Sequence, residues 1–187
     1  MRALVLALLV PACALPEGTL NDQEVITTVI LQFGDAEFAF DDPDGDGGEL
    51  PTIDPIVLAP GSYPLAVRFQ NRLEDPPEEI TEEVADEADQ HLLLFTGSAV
   101  VGPATENTTG PLQHAYADSD ANGLPIGLAN DVVVTPGAGM LTVTLRHMPP
   151  ELPPEKSADT TAEARANGVD SIGGATDAQV SFSVVAE

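Results

Sequence analysis

The sequence predicts a mainly β protein: an immunoglobulin-like sandwich of about nine strands with one short acidic helix. Three observations support this prediction. Several stretches alternate apolar and polar residues with the period of two that a half-buried strand requires. Glycine (16 residues) and proline (17 residues) divide the chain into short segments separated by turns. An offset of 76 residues aligns one part of the chain with another without a gap, which indicates a duplicated strand unit.

Four segments carry the strand prediction. Residues 24–33 are rich in β-branched side chains, which favour strands. Segments 62–71, 140–148 and 178–186 each have one apolar face, formed in turn by Leu65, Val67 and Phe69, by Leu141, Val143 and Leu145, and by Val180, Phe182 and Val184. Alternation of this kind places one face on a core and the other in water. The last segment falls outside the duplicated unit, so we expect it to pair on a sheet edge.

The duplication relates residues 34–70 to residues 110–146, with ten identities in 37 positions. Each unit is predicted to contain a strand, an aromatic-containing strand, an acidic loop, a short strand ending in Pro-Gly, and an alternating strand. The predicted repeats span about 24–78 and 91–155 within a single domain, 24–187.

Segment 74–90 interrupts the strand pattern. Asp75, Pro76 and Glu78 are the residue types of a helix N-terminus with a capping box. Its apolar positions recur every four residues: Ile80, Val84 and Ala88. The segment therefore predicts a short helix over one end of the sheets, with a solvated acidic face; a docking surface for a basic partner is the alternative. A long exposed loop is expected at 149–177, with one helical turn near 162–166.

The net charge of the chain limits the classes of partner that it can bind. The chain has 31 acidic and 6 basic residues, a net charge of −25. Such a surface repels nucleic acid and anionic lipid headgroups, and it favours cations and basic partners. Adaptation to a salty habitat, where ions screen the repulsion, is an alternative origin of the acidity.

The N-terminus has the features of an export signal. Arg2 precedes eight consecutive apolar residues, too few to span a bilayer. With Cys13, the single cysteine of the chain, residues 1–12 resemble a bacterial lipoprotein signal peptide. That resemblance implies cleavage before Cys13, lipid on its thiol and a flexible tether at 13–23. It also implies an outer-membrane lipoprotein of the bacterial cell envelope, periplasmic or surface-exposed. An ordinary signal peptide with an incidental cysteine is the alternative.

Two acidic loops match the first half of a calcium-binding pattern. Asp42, Asp44 and Asp46 precede Gly47, and Asp118, Asp120 and Asn122 precede Gly123. Carboxylates at alternate loop positions suit a hard cation such as Ca²⁺. Both loops lack the glutamate at the twelfth position, although Asp54 and Asn130 follow at equivalent places one residue later. Because Asp, Asn and Gly also favour hairpin turns for backbone reasons, a turn without metal is the alternative.

Catalytic motifs are lacking in the sequence, which contains no G-x-S-x-G, H-E-x-x-H, phosphate-binding loop or C-x-x-C pattern. His91, His114 and His147 are spread along the chain and each adjoins a predicted strand, and we interpret them as three separate surface or core histidines. Convergence of the three on a metal ion is the alternative. The sequence therefore predicts a protein that is not an enzyme.

A wider resemblance rests on "EVITTVILQF", "DDPDGDGG", "APGSYPLAVRFQN" and "GGATDAQVSFSV". These segments resemble a family of secreted lipoproteins of marine and related bacteria. The family is often described as having a type 1 periplasmic-binding fold, but this chain is too short and too β-rich for such a two-lobed receptor. We expect a non-catalytic, lipid-anchored envelope protein with calcium-stabilised acidic loops, which contacts the membrane through its anchor alone and has an envelope protein as partner. A small-ligand or metal-capturing lipoprotein feeding a transporter is the alternative.

Overall fold

A computed structural model describes residues 25–187 of the chain. Strands contain 44% of these residues and helices 12%, which confirms the mainly β class. The predicted signal peptide, the tether and Cys13 lie outside the described residues. The side chain of Asp46 also lies outside them.

Twelve strands, two α-helices and two single 3₁₀ turns follow one another along the described chain. In order they are β1 (Thr28–Phe33), β2 (Ala36–Asp41), a 3₁₀ turn (Gly45–Gly47), β3 (Thr52–Ile53), β4 (Ile56–Leu58), β5 (Gly61–Asn71), β6 (Glu78–Glu79), α1 (Thr81–Asp86), β7 (His91–Thr96), β8 (Val100–Val101), β9 (Leu112–Tyr116), β10 (Ala129–Val134), β11 (Gly137–His147), α2 (Thr160–Asn167), a 3₁₀ turn (Val169–Ser171) and β12 (Ala175–Ala186).

The strands form two sheets. The larger one has the order β3-β2-β1-β5-β10-β9-β8, with β6 beside β5, and the smaller one has the order β4-β12-β11-β7. Neighbours are antiparallel except for the parallel pairs β12/β4 and β8/β9. The count of twelve exceeds the predicted nine because β3, β6 and β8 have two residues each, and alternation cannot reveal a strand that short.

One apolar core joins the two sheets. Four phenylalanines from four strands, Phe33, Phe69, Phe95 and Phe182, are at most 1% exposed and belong to the same cluster. The apolar faces predicted for β5, β11 and β12 all point into this cluster, which confirms those three strands.

The predicted edge position of the last strand is wrong. β12 lies inside the smaller sheet, where it pairs with β11 on one side and with β4 on the other. Its register with β11 runs from Gly137 opposite Ala186 to His147 opposite Ala175. β12 takes this place because Val180, Phe182 and Val184 fill the core, and its second backbone edge pairs with β4 over Val184–Ala186.

The offset of 76 residues superposes β2 on β9, β4 on β10, and β5 on β11. The equivalent strands do not all join the same sheet: β5 and β10 are neighbours in the larger sheet, whereas β4 and β11 lie in the smaller one. The two segments therefore interleave across both sheets, and the duplication itself stays a prediction.

Helix α1 is shorter than predicted and begins later. Its N-cap is Ile80 rather than Asp75, because Glu78–Glu79 forms β6 and pairs with the end of β5. The backbone N–H of Ile80 donates to the Phe69 carbonyl at 3.0 Å, so pairing with β5 replaces the predicted capping box. The predicted apolar stripe is nevertheless directed inward, since Ile80 and Val84 are buried and Ala88 is half-buried.

The connection at residues 149–174, here called the strap, is less exposed than predicted. It contains α2, close to the predicted helical turn, and it covers a second small core. That core consists of Leu92, Leu94, Ala104, Met148, Ala164 and Ile172. The strap is thus folded over the face of β7 opposite the main core.

Candidate functional site

Two of the three histidines meet at one end of the smaller sheet. His91 begins β7, His147 ends β11, and the antiparallel register places them directly opposite each other. Their rings stack with centroids 4.3 Å apart and planes 18° from parallel. The interpretation of three separate histidines is therefore wrong for this pair. No local pattern reveals the pair, because the two residues are 56 positions apart and the β7/β11 register alone brings them together.

Two carboxylates complete this cluster, which we call the histidine–carboxylate cluster (Glu87, His91, His147 and Asp177). Asp177 lies near the start of β12, and its Oδ2 is 3.7 Å from Nε2 of His91 and 4.0 Å from Nδ1 of His147. Glu87 follows the last turn of α1, and its Oε2 is 3.5 Å from Nε2 of His147. The side chains of His91 and Asp177 are fully buried, that of His147 is 8% exposed, and that of Glu87 is half-exposed.

The hydrogen bond of His91 identifies its tautomer. Nδ1 of His91 lies 3.1 Å from the backbone carbonyl of Glu87, and a carbonyl oxygen can only accept a hydrogen bond. In neutral His91, Nδ1 therefore carries the proton and Nε2 has the lone pair. Orientation of a histidine by a backbone carbonyl on one nitrogen is common where the other nitrogen binds a metal.

Burial favours the neutral form of the second histidine. Desolvation is the largest of the effects that lower the pKa of His147, and the neighbouring His91 lowers it further. The carboxylates of Asp177, Glu87 and Glu151 act in the opposite direction. A neutral imidazole is the form that binds metal ions.

Arg146 fixes the turn that leads to Asp177. Its guanidinium donates to the carbonyls of Ile172, Gly173 and Gly174 at 3.1, 2.8 and 2.9 Å. It also donates to Oγ1 of Thr176 at 2.6 Å. Because Arg146 is buried and saturates these acceptors, the chain just before Asp177 is firmly held.

His114 is separate from the cluster and has a structural environment. Its Nε2 lies 2.9 Å from Oδ1 of Asn130, whose amide donates to the Gly127 carbonyl at 2.7 Å. The ring also packs on Phe95, with centroids 4.3 Å apart. Burial lowers the pKa of His114, although the Asn130 hydrogen bond and the charge of Asp118 oppose this. Asn130 therefore contacts a histidine and the backbone rather than a cation.

The second acidic loop is held by contacts within the protein. Both Asp118 oxygens accept backbone N–H groups, from Gly127 at 2.7 Å and Ala129 at 2.8 Å. Oδ1 of Asp120 accepts the N–H groups of Asn122 and Leu124 at 2.8 and 2.9 Å. Asn122 itself is exposed. Calcium binding by Asp118, Asp120 and Asn122 stays a prediction. It would require the two carboxylates to release these backbone N–H groups and contact the ion instead.

The remaining oxygen of Asp120 forms a buried ion pair. Nζ of Lys156, from the strap, lies 2.9 Å from Oδ2 of Asp120, and each side chain is 1% exposed. Lys156 also donates to the Ala88 carbonyl at 2.7 Å. Burial alone would raise the pKa of Asp120, but Lys156 and the N–H groups of Leu124 and Asn122 hold it below its usual range. The only lysine of the chain thus ties the strap to the second acidic loop and to the end of α1.

The first acidic loop wraps a 3₁₀ turn. Oδ2 of Asp44 accepts the N–H of Glu49 at 3.1 Å, while its Oδ1 is shielded from solvent and has no hydrogen-bond donor among the described residues. Gly47 is required there, because a Cβ at this position would lie 2.3 Å from Oδ2 of Asp44. Asp42 is half-buried at the start of the turn. Oδ2 of Asp54 contacts β2, where it accepts the N–H of Ala39 at 3.0 Å.

Comparison with known proteins gives no match: no family model, no curated protein and no solved structure is similar to this chain. Among the described residues, no helix is long and apolar enough to cross a membrane.

Proposed function

We propose that the chain is a non-catalytic, lipid-anchored protein of the bacterial cell envelope, a binding or structural module whose first acidic loop is stabilised by calcium. The observation that supports this most is the filled interior. The void bounded by Phe33, Phe95 and their neighbours measures only about 10 Å³, too small for a ligand. A partner would therefore meet this protein at its surface and loops.

The charge of the chain favours a cationic ligand or partner. With a net charge of −25, the surface attracts divalent cations and basic proteins, and it repels nucleic acid and anionic lipid. At the first acidic loop, the shielded Oδ1 of Asp44 is an oxygen ligand that lacks a donor among the described residues. Calcium would supply the missing positive charge at Asp42, Asp44 and Asp46.

An immunoglobulin-like sandwich, derived from a duplicated unit, stays part of this proposal. The superposition of β2, β4 and β5 on β9, β10 and β11 at a single offset supports the duplication. A rigid body of this kind, held on the membrane by a short tether, would present its loops to a protein partner of the envelope.

Calcium is expected to raise the melting temperature of the purified protein, because an ion that binds only the folded chain stabilises it by mass action. At a calcium concentration of 100 times Kd the gain is about 2.7 kcal/mol. For a domain of this size that corresponds to a shift of roughly 5–10 °C. The measurement is a thermal melt at low ionic strength, with EDTA and then with calcium.

The control pair for this melt is Asp44→Asn and Asp35→Asn. Asp44→Asn should abolish the calcium-dependent shift, whereas Asp35→Asn, an exposed site outside the loop, should keep it. An identical melt with EDTA and with calcium would reduce the loop to a turn and remove calcium from the proposal.

Lipid anchoring predicts that Cys13→Ser moves the expressed protein from the membrane fraction to the soluble fraction. The single cysteine offers the only thiol for thioether lipidation, and its loss leaves no other anchor of that kind. The measurement is fractionation of the bacterial envelope, with Cys13→Ala as a second variant that lacks the thiol. Equal membrane retention of the wild type and both variants would contradict the anchor.

Metal capture, the second candidate function, is favoured by the histidine–carboxylate cluster. There a buried carboxylate and a half-exposed glutamate lie beside two imidazoles, a set of donors that suits a transition-metal ion.

A further inference from the structure

We propose that Glu87, His91 and His147 bind one divalent transition-metal ion of the zinc class, with Asp177 as the buried carboxylate that orients His147 and balances the charge. This site is distinct from the acidic loops. It rests on the second candidate function, metal capture, to which it assigns ligands and a class of ion, and it does not depend on calcium binding.

The spacing of the donor atoms suits a small ion. One donor atom from each of Glu87, His91 and His147 can be chosen so that all three lie within 4.8 Å of one another. Two ligands bound at about 2.1 Å to a tetrahedral zinc ion lie about 3.4 Å apart. The 3.5 Å between Oε2 of Glu87 and Nε2 of His147 already matches this separation. Because the two rings stack almost in parallel, binding of one ion by both requires the His91 imidazole to turn out of the stack toward the other two groups.

The donor set selects the class of ion. Imidazole nitrogen with carboxylate oxygen suits zinc and its neighbours in the first transition row. Calcium prefers six to eight oxygen ligands, which two histidines cannot supply. Three protein ligands would leave a fourth position for water or for a ligand from a partner.

Asp177 provides an independent indication of a missing cation. Its side chain is fully buried, yet neither oxygen has a hydrogen-bond donor among the described residues. A buried carboxylate without a donor is costly, so a positive charge is expected beside it. Its Oδ2 lies 4.0 Å from Nδ1 of His147, the nitrogen opposite the one that faces Glu87, and 3.7 Å from Nε2 of His91. At many metal sites, one ring nitrogen of a histidine binds the metal while the other donates to a carboxylate, which orients the ring.

The solvent-facing side of the cluster lies beside an acidic helix. Glu87 is the half-exposed member of the cluster, so an ion would arrive from the solvent side of α1. Glu82 and Glu83 occupy the first turn of that helix, and Asp86 ends it. Negative charge around an entrance raises the local concentration of cations. Two carboxylates and two neutral imidazoles inside the cluster would then balance the charge of one divalent ion.

A simpler arrangement would account for the same side chains without metal. A protonated His91 or His147 would form an ion pair with Asp177, and the cluster would then be a structural link between β7, β11 and β12. The two possibilities differ in stoichiometric metal binding and in the effect of Glu87, which a structural ion pair with Asp177 does not need.

The test is isothermal titration of the purified full chain with ZnCl₂ at neutral pH, in millimolar calcium so that the acidic loops are already occupied. We expect one zinc ion per chain. His147→Ala should weaken binding by more than the ~10–100-fold that is typical of losing an orienting group, whereas Asp177→Asn should weaken it within that range. Zinc should also raise the melting temperature of the wild type.

Matched variants keep the test independent of folding. Glu87→Gln changes a half-exposed side chain and should weaken zinc binding, whereas Glu83→Gln, on the same helix, should not. His114→Ala removes a buried histidine outside the cluster and should leave zinc affinity unchanged. Absence of stoichiometric zinc binding by the wild type would overturn the site, and so would equal affinity of the wild type, Glu87→Gln and His147→Ala.

Discussion

Replacing Lys156 by alanine is expected to lower the free energy of unfolding by about 3–5 kcal/mol, because it leaves a buried carboxylate without its partner. Asp120 and Lys156 are each 1% exposed and lie 2.9 Å apart. The substitution also removes the donor to the Ala88 carbonyl. Since whole domains are stable by about 5–15 kcal/mol, one such loss is a large share of the total. The measurement is urea denaturation at neutral pH.

The controls separate burial from charge. Arg165→Ala on α2 also removes one positive charge, but Arg165 is exposed, so its effect should be below about 0.5 kcal/mol. Lys156→Met combined with Asp120→Asn removes both charges and keeps the oxygen that caps the loop, so it should recover most of the stability. Because the pKa of Asp120 is lowered in the folded protein, its contribution is present above the ordinary value of about 3.9 and is lost as the pH falls below it. A loss below about 1 kcal/mol for Lys156→Ala would contradict a buried ion pair.

Replacing Phe182 by alanine is expected to cost about 3–5 kcal/mol, because it opens a cavity at the centre of the core. Phe182 is fully buried and lies on β12, between β11 and β4. The ring packs among the buried side chains of both sheets, so neighbouring side chains can fill the cavity only in part. The measurement is again urea denaturation, with the melting temperature as a second observable.

Ser183→Ala is the matched control, one residue along the same strand and on its opposite face. Ser183 is exposed and takes no part in the core, so its replacement should change stability by less than about 0.5 kcal/mol. A small effect of Phe182→Ala, comparable with that of Ser183→Ala, would place β12 outside the core and contradict the interior position of the strand.

The sequence predicts the long strands well and the sheet order poorly. Alternation identifies the inward residues of β5, β11 and β12, because burial of one face imposes a period of two on the sequence. The second half of β11, from Val143 to His147, is buried on both faces. Alternation does not say which strand lies beside which. The interior position of β12 depends on pairing with β4, a three-residue strand more than a hundred positions earlier in the chain.

Helix α1 shows how tertiary contacts override a local signal. Asp75, Pro76 and Glu78 have the residue types of a helix N-terminus, yet the backbone at 78–80 pairs with the end of β5 instead. The apolar spacing of Ile80 and Val84 is correct because it follows from burial, which the tertiary fold preserves.

The two kinds of candidate site also differ in how much the sequence reveals about them. Acidic loops are visible in the sequence because their residues are consecutive, although the structure shows that Asp118 and Asp120 contact backbone N–H groups and Lys156. The histidine–carboxylate cluster is invisible in the sequence. Its members come from three places along the chain, since only Glu87 and His91 are close in sequence, and the register of β7, β11 and β12 brings the histidines and Asp177 together.

The most direct test of the metal site is a crystal structure of the zinc-soaked protein, with anomalous diffraction recorded on both sides of the zinc absorption edge. We expect one strong anomalous peak, about 2.0–2.2 Å from Nε2 of His91, from Nε2 of His147 and from an oxygen of Glu87. Asp177 should lie within hydrogen-bond distance of Nδ1 of His147 in that crystal. A crystal without a peak at this cluster, or with zinc only at the acidic loops, would contradict the proposal and leave the two histidines as a structural pair.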